Sequence, residues 1–101
     1  VLNRVRGPFN VTLPSQAAGV AALRDVAHTD AARTHNDIWL PWLSGELTKL
    51  GLAPLPSVGN FLLVGFGSKE RAAAANAWMM NDGLIPRMVA GYGLPEHLRI
   101  T

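Results

Sequence analysis

Asn60-Phe61-Leu62-Leu63-Val64-Gly65-Phe66 is a near-continuous apolar run, and Gly67-Ser68 punctuates it. The run is short, carries two aromatic residues and is flanked by glycine, which predicts a central strand rather than a piece of helix. Ser68 then stands where an N-cap belongs. A helix is predicted from about Lys69 to Asn81, containing Ala72 to Ala75, Trp78 and Met79, with Asp82-Gly83 ending it. Beyond it, Leu84 to Met88 reads as a second strand and His97 to Thr101 as a third. Between them lies a loop, Val89 to Glu96, holding Gly91-Tyr92-Gly93 and Pro95.

Upstream of the run, Pro54, Pro56, Ser57 and Gly59 form a connecting loop. Leu40, Leu43, Leu47 and Leu50 step by three, four and three, the stripe of one helix face, and Gly51 is placed to follow its end. Pro41 lies inside this stretch and is expected to kink the helix or to mark its first turn. His28 to Asp30 breaks the pattern, with Thr29 or Asp30 as the cap of this second helix. A first helix is predicted after Pro14 and Ser15, Ser15 being the expected N-cap. From Gln16 to Ala27 it is apolar on nearly every face, the mark of a buried helix or of one that has lost a partner. Leu2 to Thr12 has no clear period and reads as an irregular lead-in. The order is therefore α-α-β-α-β-β: an α+β layer in which helices cover a small antiparallel or mixed sheet of about three strands.

The 101 residues suit one domain, and 49% apolar against 16% charged is globular composition. The sequence pI near 9.7 overstates the basic character. Nine Lys and Arg face seven Asp and Glu, a net +2 with no basic run, so nucleic acid and anionic membranes are poorly supported as partners. The absence of cysteine excludes disulfide and thiolate chemistry and fits a cytoplasmic protein. No stretch reaches the about 18 apolar residues of a membrane span. The chain begins with Val1 and stops at Thr101 on a predicted strand, so both ends are expected to be cut.

Few residues invite chemistry. Gly65-Phe66-Gly67 has the first two glycines of a dinucleotide fingerprint, but Glu70 occupies the third position and would set negative charge beside a pyrophosphate. A turn joining strand to helix is the better reading. His28, His35 and His97 have no metal-site spacing and read as surface or capping residues; no metal is expected. Trp39, Trp42 and Trp78 read as core or interface residues; exposed, they would mark a surface that faced another domain. Arg87 and Arg99 stand among apolar neighbours, Leu84, Ile85 and Met88 for one and Leu98 and Ile100 for the other. A guanidinium so placed needs an anion. Either an internal salt bridge or an anionic ligand satisfies them.

Four stretches, in order, resemble the histidinol-phosphate aminotransferase group of the class I/II, fold-type I aminotransferases. They are Val5-Arg6-Gly7-Pro8-Phe9-Asn10-Val11 with the helix after it; His35-Asn36-Asp37-Ile38-Trp39-Leu40-Pro41-Trp42-Leu43; Pro56-Ser57-Val58-Gly59-Asn60-Phe61-Leu62-Leu63-Val64; and Gly83-Leu84-Ile85-Pro86-Arg87 with Gly91-Tyr92-Gly93-Leu94-Pro95-Glu96-His97-Leu98-Arg99-Ile100-Thr101. The closing block is the most specific. The resemblance spans residues 1–101 and implies one C-terminal small domain, with the large cofactor-binding domain of a homodimeric enzyme absent. The implied reaction moves an amino group between histidinol phosphate and the 2-oxoglutarate/glutamate pair, in histidine biosynthesis, with pyridoxal 5'-phosphate as cofactor. Arg99 is implied to grip the substrate's anionic group and Arg87 to be a second phosphate contact. The family's Schiff-base lysine sits in a Ser-x-x-Lys motif that neither Lys49 nor Lys69 matches, so no catalytic or cofactor-binding residue is expected here. The fragment alone is expected to be inactive and to bind no cofactor tightly. The alternatives are the small domain of an aromatic aminotransferase or of a threonine-phosphate decarboxylase, and a stand-alone binding module for anionic metabolites.

Overall fold

A computed structural model describes residues 11–101. The lead-in expected at Leu2 to Thr12, and the first of the four family-like stretches, fall outside the described residues up to Asn10. Two compact units divide the chain, one ending at Arg33 and one spanning Thr34–Thr101.

In the first unit, helix α1 runs Leu13–Arg24. Its cap is Thr12 rather than Ser15: the Thr12 hydroxyl accepts from the Ser15 N–H, and Pro14 falls in the first turn, where a missing N–H does no harm. None of its residues is buried, and Leu13 and Leu23 are 79% and 85% exposed. Of the two readings offered by its apolar faces, burial does not hold. Helix α2 runs Val26–Lys49 without the expected break at His28 to Asp30. The break is one residue, Asp25, whose N–H closes α1 onto Ala22 and whose carboxylate accepts from the His28 N–H at 3.0 Å. A short acidic side chain at this position satisfies an otherwise orphaned donor of the next helix.

In the second unit, α2 continues through Pro41, which is therefore neither a first turn nor a stop. Leu40, Leu43 and Leu47 pack against the core, but Leu50 is 75% exposed. The stripe ends where the helix does. Gly51 turns the chain at φ 75°, its N–H donates to Thr48, and Leu52 N–H donates back to Leu47. This crossed pair of bonds needs a left-handed residue between them, and it swings Leu52 onto the core in place of Leu50. Helix α3, Lys69–Asn81, ends the same way: Gly83 at φ 80°, with Gly83 N–H bonded to Met80 and Leu84 N–H to Met79. Ser68 caps its start by accepting from the Arg71 N–H, as expected.

The sheet has four strands, all antiparallel, in the order β1-β2-β4-β3. They are β1 Ala53–Pro54, β2 Leu62–Gly65, β3 Arg87–Met88 and β4 His97–Ile100. The α+β class stands. The fourth strand, β1, lies in what reads as a proline loop; an edge position tolerates Pro54, which has no ladder donor to offer. The second predicted strand shrinks to two residues because Pro86 cannot donate and Gly83 has just turned the chain. Alternation then decides burial. Leu62, Val64 and Leu98 are at most 2% exposed and join Phe66 and Ala72 in the core, covered by Leu40, Leu43, Leu47, Ala75 and Met79 from the two helices. Burying each of the three largest stabilises the fold by about 1.5–3 kcal/mol. Among the described residues, no helix is long and apolar enough to cross a membrane.

Candidate anion site on the second sheet face

The other face of the same strands carries the charge. Register pairs Leu63 with Arg99 and Arg99 with Arg87, while Gly65 pairs with His97. Residues directly opposite in a sheet share a face. The two arginines named from sequence are therefore brought together, side by side on adjacent strands. Like charges so placed repel, and no carboxylate among the described residues stands against them: the ion pairs there are Arg33–Asp30 and Lys49–Glu46, and Glu96 lies against His97. All seven acidic residues lie within the described part of the chain, and none reaches Arg87 or Arg99. Of the two ways to satisfy these guanidiniums, the internal salt bridge is removed.

Arg99 is half-buried, and its Nε is enclosed without a hydrogen-bond partner. A buried donor left open is uncommon. The guanidinium carbon lies 5.2 Å from the centroid of the Phe61 ring, an attraction between cation and aromatic face. Phe61 was not among the residues that sequence alone singled out. Its signal is parity: two positions before Leu63, it falls on the arginine face, not the core face. Arg87 is exposed on the edge strand.

The remaining candidates resolve simply. His97 packs with its side chain 16% exposed, and its Nδ1 lies 3.1 Å from a Glu96 carboxylate oxygen without the alignment of a hydrogen bond. It is not on the open surface as expected. Gly65 is small because of it: a Cβ there would meet His97 Nε2 at 3.3 Å and Ala53 Cβ at 3.5 Å. Gly67 supplies a turn at φ 81°. The glycine pair thus serves strand packing and a turn, not a dinucleotide. Glu70 sits in the first turn of α3, where hydrogen bonds from its own backbone N–H and then from Ser68 hold its carboxyl below the usual glutamate range. His28 and His35 are exposed, and no metal-binding cluster occurs among the described residues.

Trp39, Trp42 and Trp78 are 48%, 54% and 65% exposed, which overturns their reading as core. Trp39 and Trp42 meet edge to face at 5.3 Å. Lys49 is tied to Glu46 at 2.6 Å on the surface of α2, and Lys69, at the start of α3, is exposed. Both lysines stand on the helices that cover the core face, the side of the sheet opposite the arginines.

The profile of the family Aminotransferase class I and II matches residues 1–101. Among curated relatives, the chain is 52% identical over 103 residues to a histidinol-phosphate aminotransferase of Paramagnetospirillum magneticum, covering all of this chain and 28% of the relative. It is 49% identical to one of Rhodopseudomonas palustris (strain BisB18), over 99% of this chain and 28% of the relative. A Granulibacter bethesdensis enzyme of the same name is 50% identical, over 100% of this chain and 27% of the relative. The chain thus spans just over a quarter of the length of these relatives. The shared length carries the family and leaves the C-terminal placement expected from the closing block aside.

Proposed function

The chain belongs to the aminotransferase class I and II family, and from that premise we propose that it is the small domain of a pyridoxal-phosphate-dependent histidinol-phosphate aminotransferase. In this reading Arg99 and Arg87 hold the anionic end of the substrate: the phosphate of histidinol phosphate, or a carboxylate of glutamate. The observation that carries it is the cross-strand opposition of the two arginines with no carboxylate beside them. Two guanidiniums on one face offer forks of donors matched to a planar or tetrahedral oxyanion. Binding that anion relieves their mutual repulsion and fixes the substrate's far end, which orients its amine toward chemistry performed elsewhere.

The cofactor supplies the electron sink of transamination. This chain's residues do not fit it by themselves, since both lysines stand on helices that cover the opposite face of the sheet, and the group is assigned to the rest of the parent enzyme. The same assignment covers the large domain and the homodimer that the family implies. The 101-residue chain alone is expected to show no transamination.

The test uses the complete enzyme that carries this segment. Replacing Arg99 with Gln is expected to lower kcat/KM for histidinol phosphate by at least about 30-fold, the scale of removing one partner from an enclosed charged contact. Arg87→Gln is expected to do less, because Arg87 is exposed. An Arg99→Gln enzyme with wild-type kcat/KM sinks the reading. Parallel assays with aromatic amino acids separate the substrate classes. The position of a Ser-x-x-Lys motif before or after this segment in the parent reading frame gives the end at which the domain stands.

A further inference from the structure

We infer that Phe61 is a positioning residue for Arg99, holding the guanidinium plane by its ring so that the outer N–H edge stays free for the anion. The inference rests on the anion-binding reading above and adds to it the group that orients the arginine.

The geometry has three parts. Arg99 Cζ lies 5.2 Å from the Phe61 ring centroid. Phe61 precedes β2 by one residue, and two positions on Leu63 pairs with Arg99, so the ring reaches Arg99 along a diagonal of the sheet face. Diagonal neighbours stand about 7–8 Å apart, within reach of an aromatic and a long side chain. Behind the ring is Gly59, where an added Cβ would fall 3.2 Å from Phe61 Cε1 and 3.5 Å from Cδ1. The ring is therefore backed by main chain, which limits where it can swing.

The chemistry follows from what else is absent around Arg99. An arginine is ordinarily oriented by a carboxylate that accepts from its N–H groups, but such a partner would also consume the donors and cancel the charge. An aromatic face does neither. It attracts the cation through its quadrupole and leaves every N–H unspent. Phe61 thus replaces a salt bridge as the means of orientation, at a place where a salt bridge would block the anion. Phe61 itself is 38% exposed, more than core packing alone requires.

The experiment follows the Arg99 side-chain signals of the isotope-labelled complete enzyme that carries this chain by NMR while inorganic phosphate is added. In the wild-type enzyme, Arg99 protons are expected upfield of ordinary arginine values, shifted by the ring beneath them. Phe61→Leu should return them to ordinary values and weaken phosphate binding about three- to fivefold, the scale of a half-exposed cation–aromatic contact. Phe61→Tyr should preserve both shift and affinity. An unshifted Arg99 in the wild-type enzyme overturns the inference whether or not the leucine variant folds. So does a folded Phe61→Leu enzyme with unchanged affinity and an Arg99→Gln enzyme that has lost binding; in that case the anion-binding reading survives alone. If Arg99→Gln binds phosphate as tightly as wild type, the anion-binding reading itself has failed and the positioning role falls with it.

Discussion

The two faces of this sheet are built from the same strands and differ in every physical respect. On one, Leu62, Val64 and Leu98 are sealed under helices. On the other, one residue along, Phe61, Leu63, Arg87 and Arg99 stand partly open, with two cations opposed and no anion of the protein between them. Alternation lets one strand serve both purposes, because successive side chains point to opposite sides. The core face holds the fold together. The arginine face works against it slightly, and on the proposed reading a bound anion relieves that imbalance.

The comparison can be broken most forcefully from the core side. Leu98→Ala is expected to lower stability by about 2–5 kcal/mol, read from urea denaturation, because a fully enclosed leucine leaves a cavity as well as lost burial. A much smaller loss would mean that β4 is not the strand on which the core depends. On the arginine face the expected sign is opposite. Arg87→Thr should raise stability by about 0.2–1 kcal/mol, since it removes a like charge directly opposite Arg99, while weakening phosphate binding. If that variant is destabilised instead, the repulsion has a partner that the register does not show.

Glu70 sharpens the contrast as a charge that the fold itself accommodates. Its carboxyl is held below the usual value by hydrogen bonds from its own backbone N–H and from Ser68. A group with a depressed folded value contributes stability above its unfolded value and loses it as pH falls through the folded one. Thermal melts from neutral pH down to about pH 3 should therefore decline less steeply for Glu70→Gln than for wild type. Phosphate binding should not change. This is the smallest of the effects.

Local chemistry was legible from the sequence and pairing was not. Ser68 and Gly83 bracket α3 as expected, and Gly51 ends α2, because caps and left-handed turns are decided within a few residues. Asp25 parts α1 from α2 although His28, Thr29 and Asp30 look like the break in sequence, because helix forms through them. Strand β1 is too short to show a period, and Pro54 argues against it until an edge position is known. Arg87 and Arg99 were legible as cations in apolar company. Their opposition was not, because it depends on a register set between strands that are distant in sequence. The same holds for Phe61, whose importance appears only once Leu63 is seen to pair with Arg99.

The two arginines also differ in how firmly the backbone carries them. Arg99 lies on β4, bonded to a neighbour on each side, whereas Arg87 lies on a two-residue edge strand bonded on one side only. Edge segments with few ladder bonds open locally at far smaller free energies than central ones. On the proposed reading the pair is an anchor and a latch: Arg99 is the firmly carried guanidinium, and Arg87 stands on the segment that opens more easily. An anion held in the proposed site would then leave from the Arg87 side, and a stronger ladder at Arg87 and Met88 is expected to lengthen the time it is held.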